Sequence, residues 1–236
     1  VVVIEPQPSH ALGALTARGL QLNPAAATAR EASAIVIAVK PQVAPAVVPT
    51  LRPYLGAGTV VLSIMAGRTL GFLTDALAQR AALVRAMPNT PAAIGRGITV
   101  AVPNAQVSDR QRELVHALLA ATGAVEWVTD EALMDAVTAV SGSGPAYVFL
   151  LAEALAQAGV AAGLPRDLAL TLARATVAGA GELLNRSPLD PATLRANVTS
   201  PGGTTAAALE ILMAADGLGS LMDKAVAAAT QRSREL

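Results

Sequence analysis

Short, mainly apolar runs recur through the first half of the chain, and most are soon followed by proline or glycine. The runs are 1–4, 34–39, 59–63 and 82–86, with two further candidates at 98–102 and 125–128. Strands without polar alternation are covered on both faces, which is typical of a parallel sheet flanked by helices. A helical pattern from Ser9 to Gly19 separates the first two runs. The alternation predicts an α/β fold with right-handed crossovers.

This alternation of strands and helices stops after Asp130. From there to Leu236 we find only Ala-rich and Leu-rich helical segments, interrupted at Gly-Pro (144–145), Gly-Leu-Pro (163–165), Ser-Pro (187–188) and Ser-Pro-Gly-Gly (200–203). The sequence therefore predicts two domains: a Rossmann-like dinucleotide-binding domain over residues 1–129 and an all-helical domain over residues 130–236.

The charge content limits the partners of such a chain. It carries 17 basic and 17 acidic residues and is 2% aromatic, so it lacks the basic stripe that a nucleic-acid surface needs. With 53% hydrophobic and only 14% charged residues, we expect apolar area to be buried against a second copy of the helical half. The longest uncharged stretch, Ala136–Ala152, contains Ser-Gly-Ser-Gly-Pro and has 17 residues. A membrane-spanning helix needs about 20, so we expect no membrane span.

Metal and thiol chemistry find little support in the sequence. There is no cysteine, and the two histidines, His10 and His116, lie in different segments. We therefore expect neither a metal site nor a Ser-His-Asp arrangement. The first residues lack the basic region and cleavage site of a secretory leader, which predicts a cytoplasmic protein.

The ends of the predicted strands carry small and turn-forming residues. These ends are Glu5-Pro6, Lys40-Pro41, Ala66-Gly67 and the segment Met87–Pro91, which includes Asn89. Ligands of open parallel sheets bind at the carboxyl ends of the strands, where small residues let a flat ring approach the backbone. Any one of these turns is explained by strand termination alone. Four together favour a cofactor cleft.

Glu5 bears on the choice of cofactor. An acid at the end of a second strand can accept from the ribose 2′-hydroxyl of NAD and would repel the 2′-phosphate of NADP. A solvated acid is an equally good interpretation. The Gly-x-Gly pairs at 56–58, 95–97, 142–144 and 179–181 each lack the third glycine of a phosphate-binding turn. We therefore expect the sequence to start at the second strand, without its first βα unit.

The helical half has two polar, glycine-rich interruptions, Ser141–Pro145 and 197–205, and the second directly precedes the helical run 206–215. Amides of Gly203, Thr204 and Thr205 would lie unpaired at a helix N-terminus and face positive potential toward a carboxylate. Simple N-capping is the competing interpretation. One cap needs one hydroxyl, whereas this segment offers four hydroxyls and two glycines.

These segments, in this order, resemble the pyrroline-5-carboxylate reductases. The most specific are Val198–Thr205 and Ala139–Tyr147, supported by Ala38–Pro41 and Met87–Pro91. The resemblance implies a dinucleotide-binding domain followed by a helical domain that interleaves with a partner's in a homodimer, which some members assemble into rings. It also implies a cofactor bound by Ala38, Val39, Lys40, Pro41, Ala66, Gly67, Asn89 and Asn197. The substrate would be bound by Ser200, Gly203, Thr204 and Thr205, with Glu131 nearby.

The implied reaction is hydride transfer from NADPH or NADH to the C=N carbon of 1-pyrroline-5-carboxylate, giving L-proline. Family members mostly favour NADPH, whereas Glu5 favours NADH. The Thr205 hydroxyl would act as the catalytic group by supporting protonation of the imine nitrogen. We interpret Lys40 as a cofactor-side or capping residue and Arg85 as part of a structural ion pair.

Two alternatives come from other classes. A β-hydroxyacid-type dehydrogenase would carry a catalytic lysine on its long interdomain helix, and residues 146–164 contain none. A non-catalytic dimeric binding protein could use the same cleft, particularly without the phosphate-binding turn.

Overall fold

The computed structural model describes residues 1–24, 32–78 and 81–235. The chain forms two compact units, Val1–Met134 (joined by Glu235) and Asp135–Arg234. The division between the units lies a few residues beyond the predicted boundary at 129/130. Each unit is described by itself below.

The described part of the first unit holds seven strands. They are β1 (Val2–Val3), β2 (Gln21–Leu22), β3 (Ala34–Ile37), β4 (Val60–Ser63), β5 (Ala82–Met87), β6 (Gly97–Pro103) and β7 (Gly123–Trp127). All six apolar runs are strands, whereas β2 was not predicted because a two-residue strand has no readable period. β1 pairs with β2 in a parallel two-stranded sheet.

The other five strands form one sheet in sequence order, β3-β4-β5-β6-β7. Three of its four pairings are parallel, but β5 and β6 are antiparallel. The predicted parallel sheet is therefore present, but β6 runs antiparallel to β5. The connection 88–96 holds only a short 3₁₀ turn, Thr90–Ile94, and Gly95 at φ +69. It is too short for a crossover helix, so the chain reverses direction.

The described α-helices of the first unit before its boundary are α1 (His10–Ala14), α2 (Ala44–Val47), α3 (Leu70–Leu77) and α4 (Asp109–Ala120). α2 and α3 pack on one face of this sheet and α4 packs on the other. α1 is capped by Ser9 and continues as a 3₁₀ turn that ends at left-handed Gly19, so the predicted helix boundaries were correct.

Two hydrophobic clusters lie on opposite faces of the sheet. Val61 and Leu83 pack with Leu73 and Leu77 of α3, while residues at the alternate positions of β4 and β5 pack with Val115 of α4. All of β4 is buried, and so is β5 apart from Met87. Burial on both faces thus holds for the central strands, whereas edge strand β7 alternates between half-buried and exposed residues.

The pairing of β6 with β7 begins at two facing glycines, Gly97 and Gly123. Gly123 has φ +145, and a β-carbon placed there would overlap the backbone of Gly97. The Gly97 amide donates to the Thr122 carbonyl at 3.1 Å. Position 123 therefore requires glycine for this strand pair to close, while a β-carbon at Gly97 would lie 2.9 Å from the backbone of Ala92 in the preceding turn.

Trp127, the single tryptophan of the chain, ends β7. The Arg112 guanidinium carbon lies 4.7 Å from the centre of its ring. Its indole Nε1 donates to His116 Nδ1 at 3.3 Å. Both partners lie on α4, so the ring joins the last strand of the sheet to the helix that covers it.

The second unit consists of helices joined by turns, with no strand among its described residues. α5 (Met134–Val137) crosses the boundary and continues into a π-helical turn, Thr138–Gly142. The other helices are α6 (Gly144–Ala161), α7 (Arg166–Arg186), α8 (Pro191–Asn197), α9 (Thr204–Leu212) and α10 (Leu218–Arg234). Ser233 of α10 donates to Asp135 Oδ1 at 2.7 Å, which ties the last helix to the first residue of the unit.

Large apolar side chains lie on the surface of the helical unit. On α6, Phe149 is 66% and Leu150 is 63% exposed. By length and hydropathy alone, the helical stretch Glu131–Ala161 could cross a membrane, with a mean hydropathy of 1.3 over its best window. Its continuity is interrupted by the π turn and by Ser-Gly-Ser-Gly-Pro. These apolar side chains need a partner outside the chain.

Candidate functional site

The carboxyl ends of three adjacent parallel strands lie at one edge of the first unit. The strand register sets Ile37 of β3 beside Ser63 of β4, and Ser63 beside Arg85 of β5. The segments that follow these strands therefore start at the same level. They contain the predicted cofactor residues Ala38–Pro41, Ala66–Gly67 and Asn89, which fits the place where open parallel sheets bind a nucleotide.

Arg68 joins two of these segments, and the sequence analysis missed it. Its Nε donates to the Pro41 carbonyl at 3.0 Å, and its guanidinium lies 5.1 Å from the ring centre of Phe72. The preceding Gly67 has φ +69, a conformation that glycine adopts without strain. The turn after β4 is therefore fastened to the turn after β3.

Asn89 and Lys40 have different surroundings. Asn89 Oδ1 accepts from the Ile98 amide at 3.0 Å, so this side chain holds the β5–β6 connection. Lys40 is exposed and precedes the 3₁₀ turn Pro41–Val43, to which its side chain makes no capping bond. Of the two interpretations of Lys40, side-chain capping is not seen here.

Glu5 lies after β1, in the two-stranded sheet rather than the five-stranded one. Its amide donates to Asn23 Oδ1 at 2.8 Å, and Asn23 Nδ2 donates back to the Glu5 carbonyl at 2.9 Å. Its carboxylate Oε1 accepts from the Gln7 amide at 2.9 Å. Asn23 thus fixes the backbone of Glu5, and the role of Glu5 toward a ribose stays a prediction.

Glu131 is bound by the first unit itself. Its Oε1 accepts from Arg85 Nη1 at 2.9 Å and from the Leu70 amide at 2.8 Å. The interpretation of Arg85 as part of a structural ion pair is confirmed by this contact. The predicted role of Glu131 toward substrate stays a prediction, and both known partners of Oε1 belong to the chain.

In the second unit, the turn Ser200–Gly203 connects α8 to α9. Asp190 caps α8 by accepting from the amides of Ala192 and Thr193. A hydrogen bond from the Thr193 hydroxyl, with bonds from the backbone, lowers the pKa of the Asp190 carboxyl below its ordinary value of 3.8. Asn197, predicted on the cofactor, is the exposed last residue of α8.

One detail of the predicted anion turn was wrong. The Gly203 amide is not unpaired: it donates to the Ser200 carbonyl at 3.0 Å and closes the turn. Gly202 supports this closure at φ +68. A carboxylate would therefore have to be bound by the amides that follow Gly203.

Those amides belong to Thr204 and Thr205, the first residues of α9. Gly203 is the N-cap residue, and no side chain caps the helix. Within the described ranges, no acceptor is recorded for either threonine amide. Thr204 is exposed and Thr205 half-buried. The competing interpretation, simple capping by a hydroxyl, does not hold for this helix, and the start of α9 keeps donors for an anion.

The other polar motif of the second unit, Ser141–Pro145, follows the π-helical turn. Ser141 Oγ is buried and has no hydrogen-bond partner among the described residues. The Tyr147 hydroxyl donates to the Ala139 carbonyl at 3.0 Å and fastens the start of α6 to this turn. π-Helical turns are frequent at functional sites.

Among residues 1–24, 32–78 and 81–235, no group of three or more histidine, cysteine, aspartate or glutamate side chains could hold a metal ion. Each unit thus has its own candidate site. In the first unit it is the set of strand ends, and in the second it is the α8–α9 turn.

Comparison with known proteins places the helical part in a family. Residues 131–236 match the family described as pyrroline-5-carboxylate reductase dimerisation. The pyrroline-5-carboxylate reductase of Pseudomonas aeruginosa is 46% identical over 206 residues, which cover 87% of this chain and 75% of that protein.

Solved structures give the same result for the fold. A pyrroline-5-carboxylate reductase from Coxiella burnetii is 33% identical with a TM-score of 0.91, covering 99% of this chain and 87% of that one. The pyrroline carboxylate reductase of Plasmodium falciparum, solved with NADP bound, is 31% identical with a TM-score of 0.83, covering 99% and 86%. The architecture is a Rossmann-like domain followed by a helical dimerisation domain, and the chain belongs to the pyrroline-5-carboxylate reductase family.

Proposed function

We propose that the protein reduces 1-pyrroline-5-carboxylate to L-proline with NAD(P)H as an oxidoreductase of proline biosynthesis. Membership of the family supports this activity, since relatives that are 40–46% identical to this chain are named pyrroline-5-carboxylate reductase. In the structure, the observation that supports it most directly is the start of α9. Its first two amides have no acceptor, and no side chain caps the helix, so this helix start suits a small carboxylate.

The strand ends of the first unit fit a dinucleotide. They are three aligned turns, one of which contains left-handed Gly67 and is fixed by Arg68 to the Pro41 carbonyl. Val39, Lys40, Pro41, Ala66 and Gly67 would hold the cofactor there, with Ala38 and Asn89 beside them. The bound NAD(P)H supplies the hydride.

The residues of the second unit orient the substrate and stabilise the charges of its carboxylate and of its ring nitrogen. The amides of Thr204 and Thr205 bind the substrate carboxylate, and Ser200 supports them with its hydroxyl. The Thr205 hydroxyl oxygen accepts from the protonated ring nitrogen and so stabilises the protonated imine, whose carbon is then electrophilic. No thiol, metal ion or imidazole is needed, because the reaction depends mainly on positioning.

Two observations bear on the choice between NADPH and NADH. Glu5 favours NADH by repelling a 2′-phosphate, while the bound NADP in the relative from Plasmodium falciparum supports the phosphorylated cofactor. We propose NADPH or NADH as cofactor. Replacing Glu5 with glutamine should lower KM for NADPH if this carboxylate faces the ribose.

We further propose a homodimer built from the helical unit, assembled into a ring of dimers. The dimerisation family match and the exposed apolar side chains of α6 support self-association. The cytoplasm stays the predicted compartment, which fractionation of the source cells tests.

The test is oxidation of NADPH and of NADH by the full-length enzyme with 1-pyrroline-5-carboxylate, with proline measured as the product. Stoichiometric proline is expected. Oxidation of neither cofactor by a folded dimer would favour the alternative of a non-catalytic binding protein. Turnover of a β-hydroxyacid, but not of the imine, would favour the other dehydrogenase class.

A further inference from the structure

Arg85 occupies an unusual place for a permanently charged side chain. It lies on β5, in the middle of the sheet, and the residue is 4% exposed. Leu83, two residues earlier on the same face, belongs to the cluster that packs against α3. A guanidinium cannot lose its charge there, so burial requires an anionic partner.

Glu131 provides that anion from a distant part of the chain. Its Oε1 lies 2.9 Å from Arg85 Nη1, and the two side chains are 29% and 5% exposed, respectively. The same oxygen accepts from the amide of Leu70, the first residue of α3, at 2.8 Å. One carboxylate oxygen therefore joins the central strand of the sheet to the start of a helix 61 positions earlier.

The start of α3 has two acceptors for its unpaired amides. Thr69 Oγ accepts from the Phe72 amide at 3.0 Å, and Glu131 accepts from Leu70. A carboxylate at this end of a helix is also favoured by the helix dipole. Glu131 is therefore an N-terminal cap of α3 that comes from outside the helix.

α3 begins directly after the turn that carries Ala66 and Gly67. Arg68, inside this turn, is fixed to the Pro41 carbonyl. On the strand before the turn, Ser63 is the register partner of Arg85. The Arg85–Glu131 pair is thus linked to both sides of the turn. Arg85 lies beside Ser63, at the end of the strand before the turn, and Glu131 binds Leu70, the first residue of the helix after it.

We propose that Glu131 is a positioning residue for the cofactor-facing turn Ala66–Gly67, acting through Arg85 and Leu70. The inference deepens the proposed function and rests on it. If the charge of Glu131 is removed, α3 loses part of its cap and Arg85 loses its counter-ion. The turn between β4 and α3 then loses its fixed geometry, and cofactor binding weakens.

The experiment uses the full-length enzyme and the variants Glu131→Gln, Arg85→Met and their combination. The Kd for NADPH is measured by fluorescence titration without substrate. We expect each single variant to raise Kd about tenfold, and the double variant to raise it no further, because coupled residues are not additive. Asp130→Asn is the matched control: it removes the neighbouring charge but keeps the oxygen that accepts from the Ala132 amide. Its Kd should equal that of the wild type.

Several results would overturn the inference. A lower Tm with unchanged Kd for NADPH in Glu131→Gln would make the pair purely structural. A raised KM for pyrroline-5-carboxylate with unchanged Kd for NADPH, not reproduced by Arg85→Met, would place Glu131 on the substrate instead. Multiplicative effects in the double variant would refute action through Arg85.

Two further points keep the test decisive. Glutamine retains an oxygen for the Leu70 amide, so the comparison of Glu131→Gln with Asp130→Asn decides alone if Arg85→Met does not fold. A wild-type enzyme that binds neither NADPH nor NADH would refute the proposed function itself, and the inference with it, whatever the variants do.

Discussion

Replacing Thr205 with valine tests the proposed catalytic group. Valine keeps the β-branched shape and the backbone amide and removes only the hydroxyl. The two residues have similar helix propensities, so α9 should still begin at Thr204, after its N-cap residue Gly203. The Thr205 side chain is half-buried, and a replacement of the same shape should leave the surrounding side chains in place. Any loss of activity therefore reports on the hydroxyl.

The size of the loss follows from the kind of bond. A hydrogen bond to a charged group contributes about 1.5–3 kcal/mol. If it forms with the imine nitrogen as charge is redistributed, kcat should fall by about 10- to 150-fold. The amides of Thr204 and Thr205 remain available to the carboxylate, so KM for pyrroline-5-carboxylate should stay close to the wild-type value.

The assay is the initial rate of NADPH oxidation at saturating pyrroline-5-carboxylate, together with the Kd for NADPH, which should not change. Thr171→Val is the control. Its hydroxyl donates to the Asp167 carbonyl within α7, and its loss should leave kcat unaltered. A kcat for Thr205→Val within about twofold of the wild type would refute the catalytic role.

Three further predictions concern stability and assembly. Gly123→Ala should destabilise by about 2–4 kcal/mol in urea unfolding, because its β-carbon overlaps the opposite strand, whereas Gly71→Ala in α3 should stabilise by about 0.5–1 kcal/mol; equal effects would contradict this. The lowered pKa of Asp190 means that its carboxylate stabilises the fold above pH 3.8 and loses this effect at lower pH, so the Tm advantage over Asp190→Asn should vanish in acid. Phe149→Asp should give a folded monomer by light scattering, and Leu118→Asp a dimer.

The strands of the first unit were predictable because their burial leaves a direct record in the sequence. Val60–Ser63 and Ala82–Met87 are apolar at nearly every position because both faces are covered. The direction of β6 was not predictable in the same way. It depends on the length and turn chemistry of residues 88–96, and an apolar run looks the same in either direction.

The candidate site was predictable where it depends on local backbone. Gly203, Thr204 and Thr205 mark a helix start by residue type alone. The Gly203 amide donates to the Ser200 carbonyl and is therefore not available to an anion. This bond depends on how tightly the turn closes, which the residue types do not reveal. Arg68 and the two bonds of Glu131 join segments distant in sequence, so they emerge only when the sheet is assembled.

The position of the single tryptophan has a practical consequence. Indole emission from Trp127 registers its neighbours Arg112 and His116 on α4, all within Val1–Met134. Circular dichroism at 222 nm is instead dominated by the long helices of Asp135–Arg234. Melting curves recorded with the two signals would coincide only if both parts lose their structure together, so the native chain contains its own probe of cooperativity.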